Sequence, residues 1–113
     1  MRTRLILASG SETRQALLRN AGVVFDAETP RVDEALLKAS LLAEDRSPRD
    51  IADALAEMKA ARVADKHPGA MVIGADQTLD HAGRLLSKPE TADDAVAQTS
   101  ALSGSRHILW SAV

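Results

Sequence analysis

Apolar residues follow two rhythms along this chain, and their alternation predicts its elements. Leu5-Ile6-Leu7-Ala8 is an unbroken apolar run that reads as a short buried strand, and Ser9-Gly10-Ser11 is the turn leaving it. Ser11 is placed to cap a helix reaching about Ala21, with Leu17, Leu18 and Ala21 on one face and Gly22 as its stop. Val23 to Glu28 resumes as a strand, and Thr29-Pro30-Arg31 breaks it. A helix is expected from about Glu34 into the forties. Ser47-Pro48 then opens another, with serine as cap and proline at the first helical position. It runs toward Lys66, with Ile51, Leu55, Met58 and Arg62 or Val63 at three- and four-residue steps, and His67-Pro68-Gly69 ends it. Ala70 to Gly74 is the central strand, which Thr78-Leu79 extends toward a turn at Asp80 to Gly83. Thr91 caps a last helix through about Leu102, with Asp93 and Asp94 favourably placed in its first turn. After Ser103-Gly104, His107 to Val113 reads as a strand. The alternation of strands and helices makes this an α/β chain. With no repeat, low-complexity tract or long linker, residues 1–113 read as a single domain.

Composition narrows the function more than the fold. One Phe, one Trp and no Tyr argue against a platform that stacks exposed bases, and a net charge of −2 argues against broad binding along a nucleic-acid backbone. The absence of cysteine removes disulfides and thiolate metal sites. The opening Met1-Arg2-Thr3-Arg4-Leu5 has too short an apolar run for a signal peptide, and no stretch is long and apolar enough to span a membrane. A cytoplasmic protein without membrane or nucleic-acid partners is expected.

The candidate chemistry centres on Val72-Ile73-Gly74-Ala75-Asp76. An apolar strand that delivers an acid at its end holds a carboxylate rigidly at the rim of a sheet. Twelve residues on stands Lys88, with Pro89 behind it; an acid suited to a metal or a water and a cation suited to an anionic oxygen suggest chemistry on phosphate. Strand, Ser-Gly-Ser turn and helix aim helix-start N–H groups at an anion, although such turns also serve as plain connections. Glu34 reads equally as a helix-start glutamate favoured by the macrodipole, and Asp33 as a cap or supporting acid. Arg14, Lys59 and Lys88 read singly as surface charge, Lys59 least so because it lies beside the apolar stripe of its helix. His67 reads as an exposed turn residue, His81 as part of a hairpin loop and His107 as structural; none has metal-site spacing. Trp110 reads as core.

These pieces resemble, in order and spacing, the Maf family of nucleoside triphosphate pyrophosphatases. The matching residues are Leu7 to Ser11 with Arg14, Val32-Asp33-Glu34, Leu55-Ala56 with Lys59-Ala60, Gly74-Ala75-Asp76, Lys88-Pro89, and Leu102-Ser103-Gly104 with His107. The resemblance implies a mixed twisted sheet flanked by helices and a Mg²⁺- or Mn²⁺-dependent hydrolysis of a nucleoside triphosphate to monophosphate and pyrophosphate. In that scheme Asp76 is the base and a metal ligand, and Glu34 is the second metal ligand. Ser9, Ser11, Arg14, Lys59 and Lys88 hold phosphate. Gln77 is similar to the branch preferring 7-methyl-GTP, and the family carries an association with septum formation. Two departures stand out: Glu12 and Thr13 replace a proline and the first of two arginines, and family chains run well beyond the segment resembling His107 to Val113. The expectation is therefore an N-terminal portion of such a protein, with a catalytically silent nucleotide-binding or division-associated protein as the alternative. The edge of a strand near residue 113 could pair with a second copy, so a homodimer is also expected. A rival of another class is an interaction domain whose acids and lysines are ordinary surface.

Overall fold

The computed structural model describes residues 3–113; Met1 and Arg2 of the opening segment read above lie outside the described residues. The chain runs β1 (Leu5–Ala8), α1 (Glu12–Asn20), β2 (Asp26–Ala27), α2 (Glu34–Ala43), α3 (Pro48–Ala64), β3 (Met71–Gly74), β4 (Asp76–His81), β5 (Arg84–Leu86), α4 (Ala92–Leu102) and β6 (Ile108–Ala112). Each helix begins where a short polar side chain can cap it. Ser11, Asp33, Ser47 and Thr91 accept hydrogen bonds from the backbone N–H of Arg14, Leu36, Asp50 and Asp94 respectively. Each bond satisfies one of the N–H groups that a helix start leaves without a partner.

The strands divide their pairing between two three-stranded sheets, one parallel in the order β2-β1-β3 and one antiparallel in the order β5-β4-β6. Ala75 is the joint between β3 and β4, so the expected single extension of the central strand is instead a passage from one sheet to the other. The strand expected over Val23 to Glu28 shrinks to Asp26–Ala27. The reason lies in the exit of α1: Gly22 takes a φ of 77°, and the Val23 N–H bonds back to the Leu18 carbonyl. This commits Val23 to the helix terminus and leaves Val24 exposed.

The core forms where α3 crosses both sheets. Ile51, Leu55 and Val63 are fully buried along one face, and Ile6, Leu7 and Ala8 of β1 are buried beneath them. Such side chains each contribute roughly 1.5–3 kcal/mol of burial free energy. The stripe runs Ile51, Leu55, Lys59, Val63, so Lys59 occupies the buried line itself rather than its flank; Met58 is half-buried and Arg62 exposed. Close approach of α3 to the sheet joint depends on Gly74, where a Cβ would lie 2.8 Å from the Cβ of Ala60 and closer still to the Ala56 carbonyl oxygen. The Thr78 hydroxyl donates to the Pro48 carbonyl at 2.7 Å and ties β4 to the first turn of α3. By contrast, α1 has no buried residue, and Leu17 of its expected apolar face is exposed. Among the described residues, no helix is long and apolar enough to cross a membrane.

Candidate functional site

Two local rules place the acid and the cation that matter most. Parallel strands β1 and β3 end at Ala8 and Gly74, and the residues just beyond their carboxyl ends share one rim of the sheet. Ser9 to Ser11 leave β1 at that rim, and Asp76 begins β4 there. Lys59, four residues beyond Leu55 on α3, is carried by the buried stripe to the same place.

The Lys59 ammonium lies 3.0 Å from Asp76 Oδ1 and 2.7 Å from Glu34 Oε1. Lys59 and Asp76 are both buried, whereas the Glu34 side chain is partly open to solvent at 43 % exposure. Asp76 Oδ2 is buried and has no hydrogen-bond partner among the described residues. A buried carboxylate oxygen without a donor is costly, and here the cost is concentrated on a lone pair that a cation or a water proton can satisfy.

A cleft of about 690 Å³ opens at this rim, lined by Ser11, Arg14, Asp76, Gln77 and Lys88 of the expected residues and by Thr13. Arg14 and Lys88 have no ion-pair partner among the described residues. Ser9 is buried below the rim, where its hydroxyl oxygen accepts from the Ser11 N–H at 3.0 Å and its carbonyl from Gln15. Its visible work is to shape the turn that presents Ser11. The structure thus brings all eight expected residues to one region: five line the cleft, Glu34 and Lys59 brace Asp76, and Ser9 supports the turn. Lys38, which the motif order does not single out, lines an adjoining cleft with Arg14, Gln77 and Lys88, one helical turn after Glu34.

The donor set fits a hard divalent cation. Mg²⁺ takes one or two carboxylates and completes its shell with water and phosphate oxygens. Glu34 and Asp76 supply two carboxylates, and among the described residues no group of three or more His, Asp or Glu side chains forms a self-sufficient cage.

The remaining expected features divide. Trp110 packs against Ala52, Ala56 and Ala112 and donates to Asp80 Oδ2 at 3.1 Å, consistent with its reading as core. His67 lies in the turn expected for it but is not exposed. It is half-buried, with Nε2 2.8 Å from Glu28 Oε1 and Nδ1 3.3 Å from Arg4. A guanidinium only donates, so Nδ1 accepts from Arg4 and Nε2 carries the proton toward Glu28. His81 ends β4 rather than lying in the hairpin loop, and its Nε2 is 2.8 Å from the Ser105 hydroxyl.

Comparison with known proteins bears on this arrangement. A nucleoside triphosphate pyrophosphatase of Ruegeria pomeroyi is 62% identical over 108 residues, covering 96% of this chain and 54% of that protein. One of Caulobacter vibrioides is 59% identical over 111 residues, covering 98% of this chain and 55% of its own. A 7-methyl-GTP pyrophosphatase of Brucella abortus is 43% identical over the whole chain and 57% of its own. The chain spans about half the length of the curated relatives it matches. The Maf-like protein family model matches residues 4–113, a span that takes in every residue of the cleft and of its Lys59 brace, and the chain belongs to that family.

Proposed function

We propose that the cleft cleaves a nucleoside triphosphate between its α and β phosphorus atoms. Water attacks the α-phosphorus, the bridging oxygen leaves with pyrophosphate, and the nucleoside monophosphate remains. The observation that carries this reading is the Lys59 brace, which turns one oxygen of Asp76 to an ammonium and leaves the other buried and without a partner beside a cation-lined cleft. That second oxygen takes the proton of the attacking water. Arg14 and Lys88 neutralise and align the phosphate chain, and alignment with charge neutralisation is most of what phosphoryl transfer requires. Ser11 and the first N–H groups of α1 add donors to the same oxygens. Glu34 and Asp76 would hold Mg²⁺, which when bound offsets phosphate charge and lowers the pKa of water. The names of the relatives support the reaction class, and Gln77 at the cleft supports a lean toward 7-methyl-GTP within a cytoplasmic, housekeeping role.

One observation favours a second reading. Thr13 lines the cleft where the first of the two arginines is expected, which removes a cation from the phosphate site and suits binding without turnover. Pyrophosphate release from GTP, 7-methyl-GTP, UTP and CTP with Mg²⁺ separates the two. On the first reading the chain releases pyrophosphate, and Asp76→Asn lowers the rate by about 100-fold or more while leaving the circular dichroism spectrum intact. Nucleotide binding without release supports the second, and release that survives Asp76→Asn overturns the role of Asp76.

A further inference from the structure

Positive charge gathers at one mouth of this otherwise slightly acidic chain. A second cleft, of about 420 Å³, opens beside the one that holds Asp76, and Arg14, Gln77 and Lys88 line both. Lys38 of α2 is the third cation of this second cleft, and among the described residues lining it there is no Asp or Glu. Its floor is apolar. Leu79 of β4 pairs with Leu86 of β5 on one side and Leu109 of β6 on the other, so a stripe of three leucines crosses the antiparallel sheet. Charges of one sign beside low-dielectric walls focus their field, and three cations without an acid among them attract an anion to the mouth.

Lys38 is available for that anion because its ordinary partner is taken. A lysine four residues after a glutamate on a helix commonly pairs with it, since the two Cβ atoms lie about 5–6 Å apart on one face. Glu34 and Lys38 have this spacing in α2, yet Glu34 Oε1 lies 2.7 Å from the Lys59 ammonium. Lys38 is half-buried and has no ion-pair partner among the described residues. Helix α2 buries no residue, so its first turn is held by the same ammonium that holds Asp76. Lys38 thus stands one helical turn from the Asp76 brace and lines the mouth with Arg14 and Lys88.

We propose that Lys38 is a further phosphate-binding residue, whose ammonium contacts the phosphate chain at the shared mouth and supplies the cation that this chain lacks at Thr13. The inference deepens the reading of a nucleoside triphosphate held beside Asp76 and rests on it. The anion lies among Arg14, Lys38 and Lys88 at the mouth rather than on the leucine floor. Helix α2 then carries both an acid, Glu34, and a cation, Lys38, to one substrate, and the loss at Thr13 is offset from the opposite wall.

The test is equilibrium binding, by calorimetry with Mg²⁺, of inorganic tripolyphosphate and of the cleavage-resistant α,β-methylene analogue of GTP. Lys38→Gln should weaken both by about tenfold, the loss of one charge-assisted contact, while Lys38→Arg keeps affinity within about threefold. Thr13→Arg added to Lys38→Gln should recover most of the loss, which a helix merely mis-seated by the substitution would not do. Lys66→Gln, at the far end of α3, controls for net charge and should leave both affinities unchanged. Tripolyphosphate that binds Lys38→Gln as tightly as wild type overturns the inference. So does a loss of equal size in Lys38→Arg or Lys66→Gln, and a double variant without recovery overturns the replacement of the cation at Thr13. A wild-type chain that binds neither ligand overturns the phosphate reading and this one with it.

Discussion

Lys59 shows how one residue can serve the fold and the site by the same contact. Its stem continues the apolar stripe of α3, and its ammonium meets Asp76 and Glu34 where that stripe runs out. Because Lys59 and Asp76 are both buried, removing the cation strands a carboxylate away from water, which is far more costly than losing a surface pair. Lys59→Met keeps most of the volume and should lower unfolding free energy by about 3 kcal/mol. Adding Asp76→Asn to that variant should recover part of the loss, because the stranded charge is gone. Urea denaturation of the single and double variants measures both, and a loss below about 1 kcal/mol for Lys59→Met would show that the charge is hydrated after all.

At the scale of elements, the site is the product of one tight crossing. Helix α3 approaches the joint of β3 and β4 so closely that Gly74 has no room for a methyl group between it and Ala56 and Ala60. This contact sets the height of Lys59 above Asp76, which lies two residues past Gly74. Gly74→Ala must push the helix outward, so the expected result is a stability loss of about 2 kcal/mol and, on the proposed reaction, a loss of pyrophosphate release larger than that destabilisation explains. Thermal melting beside pyrophosphate release checks it. Near wild-type activity in a folded Gly74→Ala variant would mean that the crossing distance does not set the geometry of the brace.

For the whole molecule, the relevant coupling lies at the far end of α3. Glu28 follows β2, His67 follows α3 and Arg4 precedes β1, and their side chains join these segments in one chain of contacts. The hydrogen bond from His67 holds the Glu28 carboxyl below its ordinary value of 4.5, helped by the charges of Lys66 and Arg4 and opposed by burial. A carboxyl with a lowered pKa in the folded state stabilises fully above its unfolded value and loses that contribution as pH falls through its folded one. The stability difference between wild type and Glu28→Gln should therefore shrink as pH falls below about 4.5. Chemical denaturation across that range tests it, and a difference that stays flat to about pH 3 would sink the assignment.

How much of this was legible without the structure follows from the range of each interaction. Caps, helix starts and strand runs depend on neighbours within four residues, so Ser11, Asp33, Ser47 and Thr91 declared the helices and Leu5 to Ala8 the first strand. Asp76, Lys59, Glu34, Arg14 and Lys88 were singled out through motif order, helped for Asp76 and Lys59 by their places at a strand end and beside a helix stripe, and the fold brings them to one region. The same local reading over-extended β2, because the helix exit at Gly22 also takes up Val23, and read the turn residue His67 as exposed, because Glu28 and Arg4 are 39 and 63 positions away. The division into two sheets at Ala75, the burial of Lys59, the partnerless oxygen of Asp76 and the leucine stripe across three strands were decided by tertiary structure alone. Each depends on which distant segment lies alongside, and the free energy of that choice comes from packing and desolvation summed over the fold, to which no window of sequence has access.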